Sequence, residues 1–118
     1  MNTRKIAKAL KSLSGKVSEI GNLHPKLISI GGAGAARAEK QIPWICQTLD
    51  QAAAALESKR DPFGNPITPS QVVGGLKQLT VYVREPSYGT LMEMTYPGID
   101  KPLQSCMKKL DKIIKMFD

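Results

Sequence analysis

The sequence predicts a mainly α-helical fold, a small single-domain bundle of four to five helices over residues 1–118. Apolar residues recur at helical spacing near both ends of the chain, and Gly- and Pro-rich breaks separate the apolar runs. The length of 118 residues is usual for one domain. Apolar residues make up 42% of the chain and aromatics only 5%, so we expect a core of aliphatic side chains.

The first helix is expected from about Thr3 to Gly21, with Asn2 or Thr3 as its cap. Its apolar residues share one narrow stripe: Ile6, Leu10, Leu13, Val17 and Ile20. Its basic residues fall on the opposite half: Arg4, Lys5, Lys8, Lys11 and Lys16. The pattern is typical of a helix that packs one side against a core and exposes the other.

The next part of the chain is broken by Pro and Gly. A short helix is expected from about Ala35 to Gln41, and Pro43 either interrupts it or serves as the first residue of a third helix. That third helix stops near Ser58 and has one apolar face: Ile45, Leu49, Ala52, Ala53 and Leu56. Residues 59–69 are dense in Pro, Gly, Asn and Asp, which predicts a loop.

Residues 68–96 allow two interpretations. Thr68, Pro69 and Gln71 form a helix start with a capping box, and an apolar stripe follows: Val72, Leu76, Leu79 and Val83. Residues 80–83 are rich in strand formers, so the alternative is an α+β fold with one β-hairpin near 78–84 and 90–96. We favour the helix, because the cap and the helical period agree.

The last helix is expected from about Pro102 to Phe117. It has an unbroken apolar face: Leu103, Cys106, Met107, Leu110, Ile113, Ile114 and Phe117. Its other face is basic: Lys108, Lys109, Lys112 and Lys115. The two terminal helices therefore share one character, and the heptad-like spacing of their stripes also permits a homo-oligomer.

The net charge of +7 is concentrated at the two ends of the chain. Residues 1–30 carry +5, residues 101–118 carry +3, and residues 31–100 carry −1. A lysine face of this kind either keeps a small protein in solution or contacts an acidic partner. The sequence leaves open whether the two basic faces form one patch or two.

Ten residues are the candidates for partner binding. Eight are the lysines Lys5, Lys8, Lys11, Lys16, Lys108, Lys109, Lys112 and Lys115. Trp44, at a helix start, and Tyr88, in an expected loop over residues 85–89, complete the set, because exposed aromatics are enriched at interaction hot spots. The competing interpretation of Trp44 and Tyr88 is a place in the core.

We find no catalytic constellation and expect no enzyme, cofactor or metal. Residues 27–37 resemble a strand that leads into a phosphate-binding glycine loop, but Arg37 stands where the third small residue is needed. His24 is the only histidine, and Cys46 could act as a nucleophile only if folding brought His24 to it. Cys46 and Cys106 are expected as free buried thiols, although a disulfide between them stays open.

The function we predict is therefore binding. The chain is expected to be a small non-enzymatic helical protein that binds an acidic protein surface or a nucleoprotein complex, as an accessory factor, adaptor or inhibitor. The alternative is direct, sequence-independent binding of nucleic acid by the lysine faces. No apolar run reaches the length of a membrane span and no secretory signal is seen, so we expect a cytoplasmic protein without membrane contact.

Overall fold

The computed structural model describes residues 2–24 and 33–118, and these residues form six helices without a named strand. The helices are α1 Thr3–Leu23, α2 Ala33–Glu39, α3 Gln41–Ser58, α4 Pro69–Val83, α5 Pro86–Thr95 and α6 Asp100–Lys115. Five of them have ten residues or more, and α2 has seven. The mainly α bundle predicted from the sequence is confirmed.

The alternative hairpin near 78–84 and 90–96 is wrong, because these residues belong to helices α4 and α5. The predicted capping box is present: the Thr68 hydroxyl accepts from the N–H of Gln71, and the Gln71 side chain accepts from the N–H of Thr68. The β-branched Thr80 and Val83 are buried on the inner side of α4. Their packing outweighs their strand propensity.

The junction of α2 and α3 also differs from its prediction. The break falls at Lys40, and Pro43 is the third residue of α3 rather than its first or a breaker. A proline fits there because the first four N–H groups of a helix have no intrahelical acceptor. Of residues 27–37, which resemble a strand that leads into a glycine loop, residues 27–32 lie outside the described residues.

Four helices make up the body of the fold. Helix α1 packs against α3 and α6, and α4 packs against the same two helices, so that α1/α6 and α3/α4 form opposite sides. The short α2 contacts α3 and α5, and α5 also contacts α4 and α6. All six helices contribute to the buried apolar core of the described residues.

The predicted apolar stripes supply most of that core. Ile6, Leu10 and Val17 of α1 and Leu103 and Leu110 of α6 have no exposed surface. Because both terminal stripes are buried within this chain, they offer no free face for the self-association considered above. No helix in the described part of the chain combines the length and apolar character that a membrane span needs.

The start of α6 depends on a side chain from α5. Ile99 provides no side-chain cap, but the Glu93 carboxylate accepts from the N–H groups of Gly98 and Asp100, each at 2.9 Å. These two hydrogen bonds, first that from Gly98, lower the pKa of Glu93. A carboxylate here also faces the positive end of the helix dipole.

Candidate binding surfaces

The basic faces of α1 and α6 adjoin each other. A shallow groove of about 290 Å³ runs between the two helices and is lined by Ala9, Ser12, Leu13, Lys16, Lys109, Lys112 and Ile113. Lysines of both terminal helices thus border one groove, although about 90 residues separate them in the sequence. The two basic faces therefore meet at this groove, through Lys16 of α1 and Lys109 and Lys112 of α6.

Cys106 shows how close these lysines lie. Its thiol is buried beneath the groove, and burial raises its pKa above the ordinary value. Lys109 and Lys16 act in the opposite direction, because both cations are near enough to favour the thiolate. One buried sulfur therefore lies within the electrostatic reach of a lysine from each helix.

All eight candidate lysines are exposed, but Lys11 belongs to a different surface. Its Nζ lies 2.7 Å from Oε1 of Glu57, an ion pair that joins α1 to α3 and leaves both side chains about half exposed. We therefore define the lysine face by the other seven residues. They are Lys5, Lys8, Lys16, Lys108, Lys109, Lys112 and Lys115.

The acidic residue within α6 on this side of the molecule is already paired. Both carboxylate oxygens of Asp111 accept from the Arg84 guanidinium, at 3.2 and 2.6 Å. This bidentate pair joins α6 to the end of α4, and the charge of Asp111 is neutralised by Arg84 rather than by a lysine. In α1, Glu19 comes after Lys16, toward the C-terminal end of the helix.

A second surface lies on the opposite side, between α3 and α4. We call it the aromatic groove. It has a volume of about 760 Å³ and is lined by Lys40, Gln41, Trp44, Thr48, Gly75, Gln78, Leu79 and Tyr82. Trp44 and Tyr82 meet across it edge to face, with ring centroids 5.2 Å apart. Trp44 is 39% exposed and Tyr82 is 44% exposed, so both rings are accessible from solvent.

Tyr88 is not in a loop, as the sequence suggested, but in α5, which Pro86 begins. It is only 5% exposed, and its ring packs edge to face on Tyr82 with centroids 5.1 Å apart. Burial raises the pKa of its hydroxyl well above the usual range. Tyr88 thus supports the groove from behind, whereas Tyr82 faces it.

Tyr82 is the functional candidate that sequence reasoning missed. The helical period offered a signal, because Tyr82 falls beside the apolar stripe of α4 rather than on it. Residues next to the stripe border the neighbouring groove. The sequence does not show that Trp44 of α3 lies across the groove from this position.

Two glycines in the middle of α4 have no packing contact at the Cβ position with residues 2–24 or 33–118. A Cβ atom built on Gly74 or Gly75 would meet nothing within 4 Å, and Gly75 lines the aromatic groove. A glycine inside a helix costs roughly 0.5–1 kcal/mol relative to alanine. No contact in the described part of the chain requires a glycine at either position.

The residues considered for catalysis are kept apart. The Cys46 thiol donates to the Ser14 carbonyl, and burial raises its pKa, which disfavours the nucleophilic thiolate. The Nδ1 of His24 donates to the carbonyl of Ile20 at 2.9 Å, ten residues or about 15 Å beyond Ser14 along α1. Both cysteines are free thiols, and residues 2–24 and 33–118 bring no three His, Cys, Asp or Glu residues together as metal ligands.

Comparisons of this chain with family models, with curated proteins and with solved structures give no match. The two surfaces are therefore the basis on which a function can be argued.

Proposed function

We propose that this chain is a non-enzymatic accessory protein that binds a macromolecular partner, and that its lysine face contacts the phosphate backbone of nucleic acid. The observation that supports this proposal is the shared groove of α1 and α6, where Lys16, Lys109 and Lys112 converge. We expect the protein to act in the cytoplasm, where nucleic acid and nucleoprotein complexes are accessible.

The dimensions of the lysine face suit a nucleic acid strand. Along the helix axes, the lysines extend for about 16 Å from Lys5 to Lys16 and for about 10 Å from Lys108 to Lys115. Neighbouring packed helices lie roughly 8–10 Å apart. Duplex DNA presents one charge per about 1.7 Å of its axis, so a surface of this size faces several phosphates at once.

Composition favours phosphate over an acidic protein surface. Protein–protein interfaces are depleted in Lys and enriched in aromatic side chains at their centres. Neither α1 nor α6 contains a Phe, Tyr or Trp. The exposed residues between the lysines are small, among them Ser12, Gly15 and Ser105, which lets a flat backbone approach the ammonium groups.

The same composition predicts binding without sequence preference. Base readout in a groove needs side chains such as Arg, Asn or Gln that pair with base edges, and single strands need aromatic stacking platforms. The lysine face as defined above has neither, and lysines contact phosphates as mobile point charges. We therefore expect similar affinity for mixed duplexes of unrelated sequence.

The test compares two triple variants that remove the same charge. Lys16→Gln/Lys109→Gln/Lys112→Gln changes the shared groove, and Arg37→Gln/Lys40→Gln/Lys59→Gln removes three exposed cations from α2 and from the two ends of α3. Fluorescence anisotropy with a labelled duplex near physiological salt should show a roughly 10- to 100-fold weaker affinity for the first variant. The control should stay within about threefold of the parent, because distant exposed charges are screened.

Two outcomes would contradict the proposal. In one, both triple variants lose affinity equally, so that net charge alone governs binding. In the other, the parent chain binds polyglutamate at the same salt but no duplex, which would assign the lysine face to an acidic protein.

A further inference from the structure

The aromatic groove exposes several apolar side chains close together, and such a cluster is unfavourable in water unless a partner covers it. Trp44 and Tyr82 border it, and Val81, at 63% exposed, lies next to Tyr82 on the outer side of α4. Tyr88 packs edge to face on the inner side of Tyr82, so contacts within the chain already orient the Tyr82 ring. Fixed, exposed aromatics are the usual centres of binding energy in protein interfaces.

The glycines of α4 leave room for a second backbone. With no side chain at Gly75, the lining of the groove opens onto the α4 main chain itself. Small residues at a helix surface allow another helix to approach closely, as in helix pairs that meet at glycine. Because none of the residues that the structure describes uses that space, an outside helix accounts for it best.

Gln41 adds an unpaired polar atom at the same place. Its side chain is 9% exposed and lines the groove. Its Nε2 donates to the Arg37 carbonyl at 3.4 Å, whereas its Oε1 has no hydrogen-bond partner among the described residues. Buried acceptors are nearly always satisfied in folded proteins, so this oxygen can accept from a donor that an occupant of the groove brings.

Charge decides which occupant fits. Of the eight residues that line the groove only Lys40 is charged, and the chain as a whole carries +7. A second copy of the chain would bring another seven positive charges and be repelled, whereas an acidic partner is attracted from a distance. An acidic side chain of that partner can pair with Lys40 at the groove's end.

We infer that the aromatic groove binds an amphipathic α-helix of an acidic partner protein. The helix lies along α3 and α4, packs its apolar side on Trp44 and Tyr82, and passes close to the backbone at Gly75. This is helix-in-groove recognition, in which apolar residues at helical spacing enter a groove between two helices. The inference uses residues outside the lysine face and extends the proposed function to a second partner.

The probe is a display library of helical peptides of about 18 residues, long enough to span the groove. Each peptide has Leu or Ala at its apolar positions, Glu, Gln or Lys elsewhere, and no Trp. Selection on the full chain should enrich Glu-rich peptides. Because Trp44 is the only tryptophan of the chain, a selected peptide should shift its fluorescence emission to shorter wavelength.

Matched glycine variants locate the binding. Gly75→Leu fills the groove and should weaken the selected peptide by about tenfold or more, since it removes the close approach. Gly15→Leu, also mid-helix and open to solvent, should bind within about twofold of the parent, because the site is untouched. Lys16→Gln/Lys109→Gln/Lys112→Gln should keep peptide binding within about threefold, since rim and distant charges mainly alter the on-rate.

Several results would overturn the inference. The inference fails if no peptide is selected above background, if Lys-rich peptides are selected, or if the selected peptide binds the parent and Gly75→Leu with equal affinity. A dimer in sedimentation that Gly75→Leu dissociates would instead assign the groove to a second copy. Duplex binding by the same variants is measured in parallel, so failure here is distinguishable from failure of the proposed function.

Discussion

The lysine face and the aromatic groove lie on opposite sides of one small bundle and differ in almost every physical property. The lysine face is charged, borders a shallow groove and is free of aromatics, whereas the aromatic groove is nearly uncharged and is lined by two exposed rings. The first suits a long anionic strand that needs no fixed register. The aromatic groove suits a partner of defined shape that binds in one orientation. A chain of 118 residues thus presents two surfaces of different character on a shared core.

The largest expected effect comes from breaking that core. Leu110 is completely buried in α6, so Leu110→Ala should lower the free energy of unfolding by about 2–5 kcal/mol. Urea unfolding followed by Trp44 emission and by helical circular dichroism measures the loss. The two signals should coincide, because both surfaces depend on the same core.

Lys108→Ala is the control, since the Lys108 side chain is exposed on the same helix. It should change the unfolding free energy by no more than about 0.5 kcal/mol. A Leu110→Ala effect of that small size would show that α6 does not pack as described.

Glycine substitutions should separate groove glycines from turn glycines. Gly75→Ala should raise the free energy of unfolding by about 0.5–1 kcal/mol, since the helix gains and no atom lies within 4 Å. Gly98→Ala should lower it by about 1 kcal/mol, because Gly98 has a φ of +86°. Thermal unfolding of both variants tests this pair. A destabilising Gly75→Ala would mean that α4 needs its glycine for folding.

The effect of salt on the free energy of unfolding should also differ between variants of the lysine face and variants of the aromatic groove. Like charges crowd the α1/α6 groove, so Lys16→Gln/Lys109→Gln/Lys112→Gln should stabilise the fold at low salt by about 0.2–0.5 kcal/mol per lysine. This gain should fade in high salt, while the gain from Gly75→Ala should not. Urea unfolding at two salt concentrations is the measurement, and a salt-independent gain in both variants would refute the crowding of these lysines.

The smallest expected effect concerns acid. The hydrogen bonds from Gly98 and Asp100 hold the pKa of Glu93 below its ordinary value of 4.5. Its contribution to stability is therefore present above the unfolded pKa and is lost as the pH falls through the folded pKa. Glu93→Gln should flatten the fall in unfolding free energy below about pH 4.5. Glu19→Gln is the control, because Glu19 is exposed on α1. Equal dependence of the unfolding free energy on pH for Glu93→Gln and the parent chain would contradict the capping role.

The lysine face could be predicted from the sequence because each half of it is local. The spacing of Leu10 and Val17 in α1, and of Leu103 and Leu110 in α6, places the lysines of each helix on the outer side. What the sequence could not give was the contact between α1 and α6, which makes one surface of two. It also could not give the Lys11–Glu57 pair, whose partners are 46 positions apart.

The aromatic groove was largely beyond prediction, because α3 and α4 supply its two rings and α5 supplies Tyr88 behind them. Trp44 was chosen from its place at a helix start, but Tyr82 was overlooked and Tyr88 was assigned to a loop. Tyr82 lies beside the apolar stripe of α4, and the helical period alone does not show that Trp44 of α3 lies across from it. The outcome at Thr80 and Val83 shows that burial on a helix stripe outweighs strand propensity.

Backbone amide chemical-shift mapping with a mixed-sequence duplex tests the central claim most directly, since it reports on both surfaces at once. The account predicts shifts in residues 5–16 of α1 and 105–115 of α6 that fade as salt rises, with residues 44–48 and 75–82 unmoved. Shifts centred on the aromatic groove, or no shifts at low salt, would contradict it.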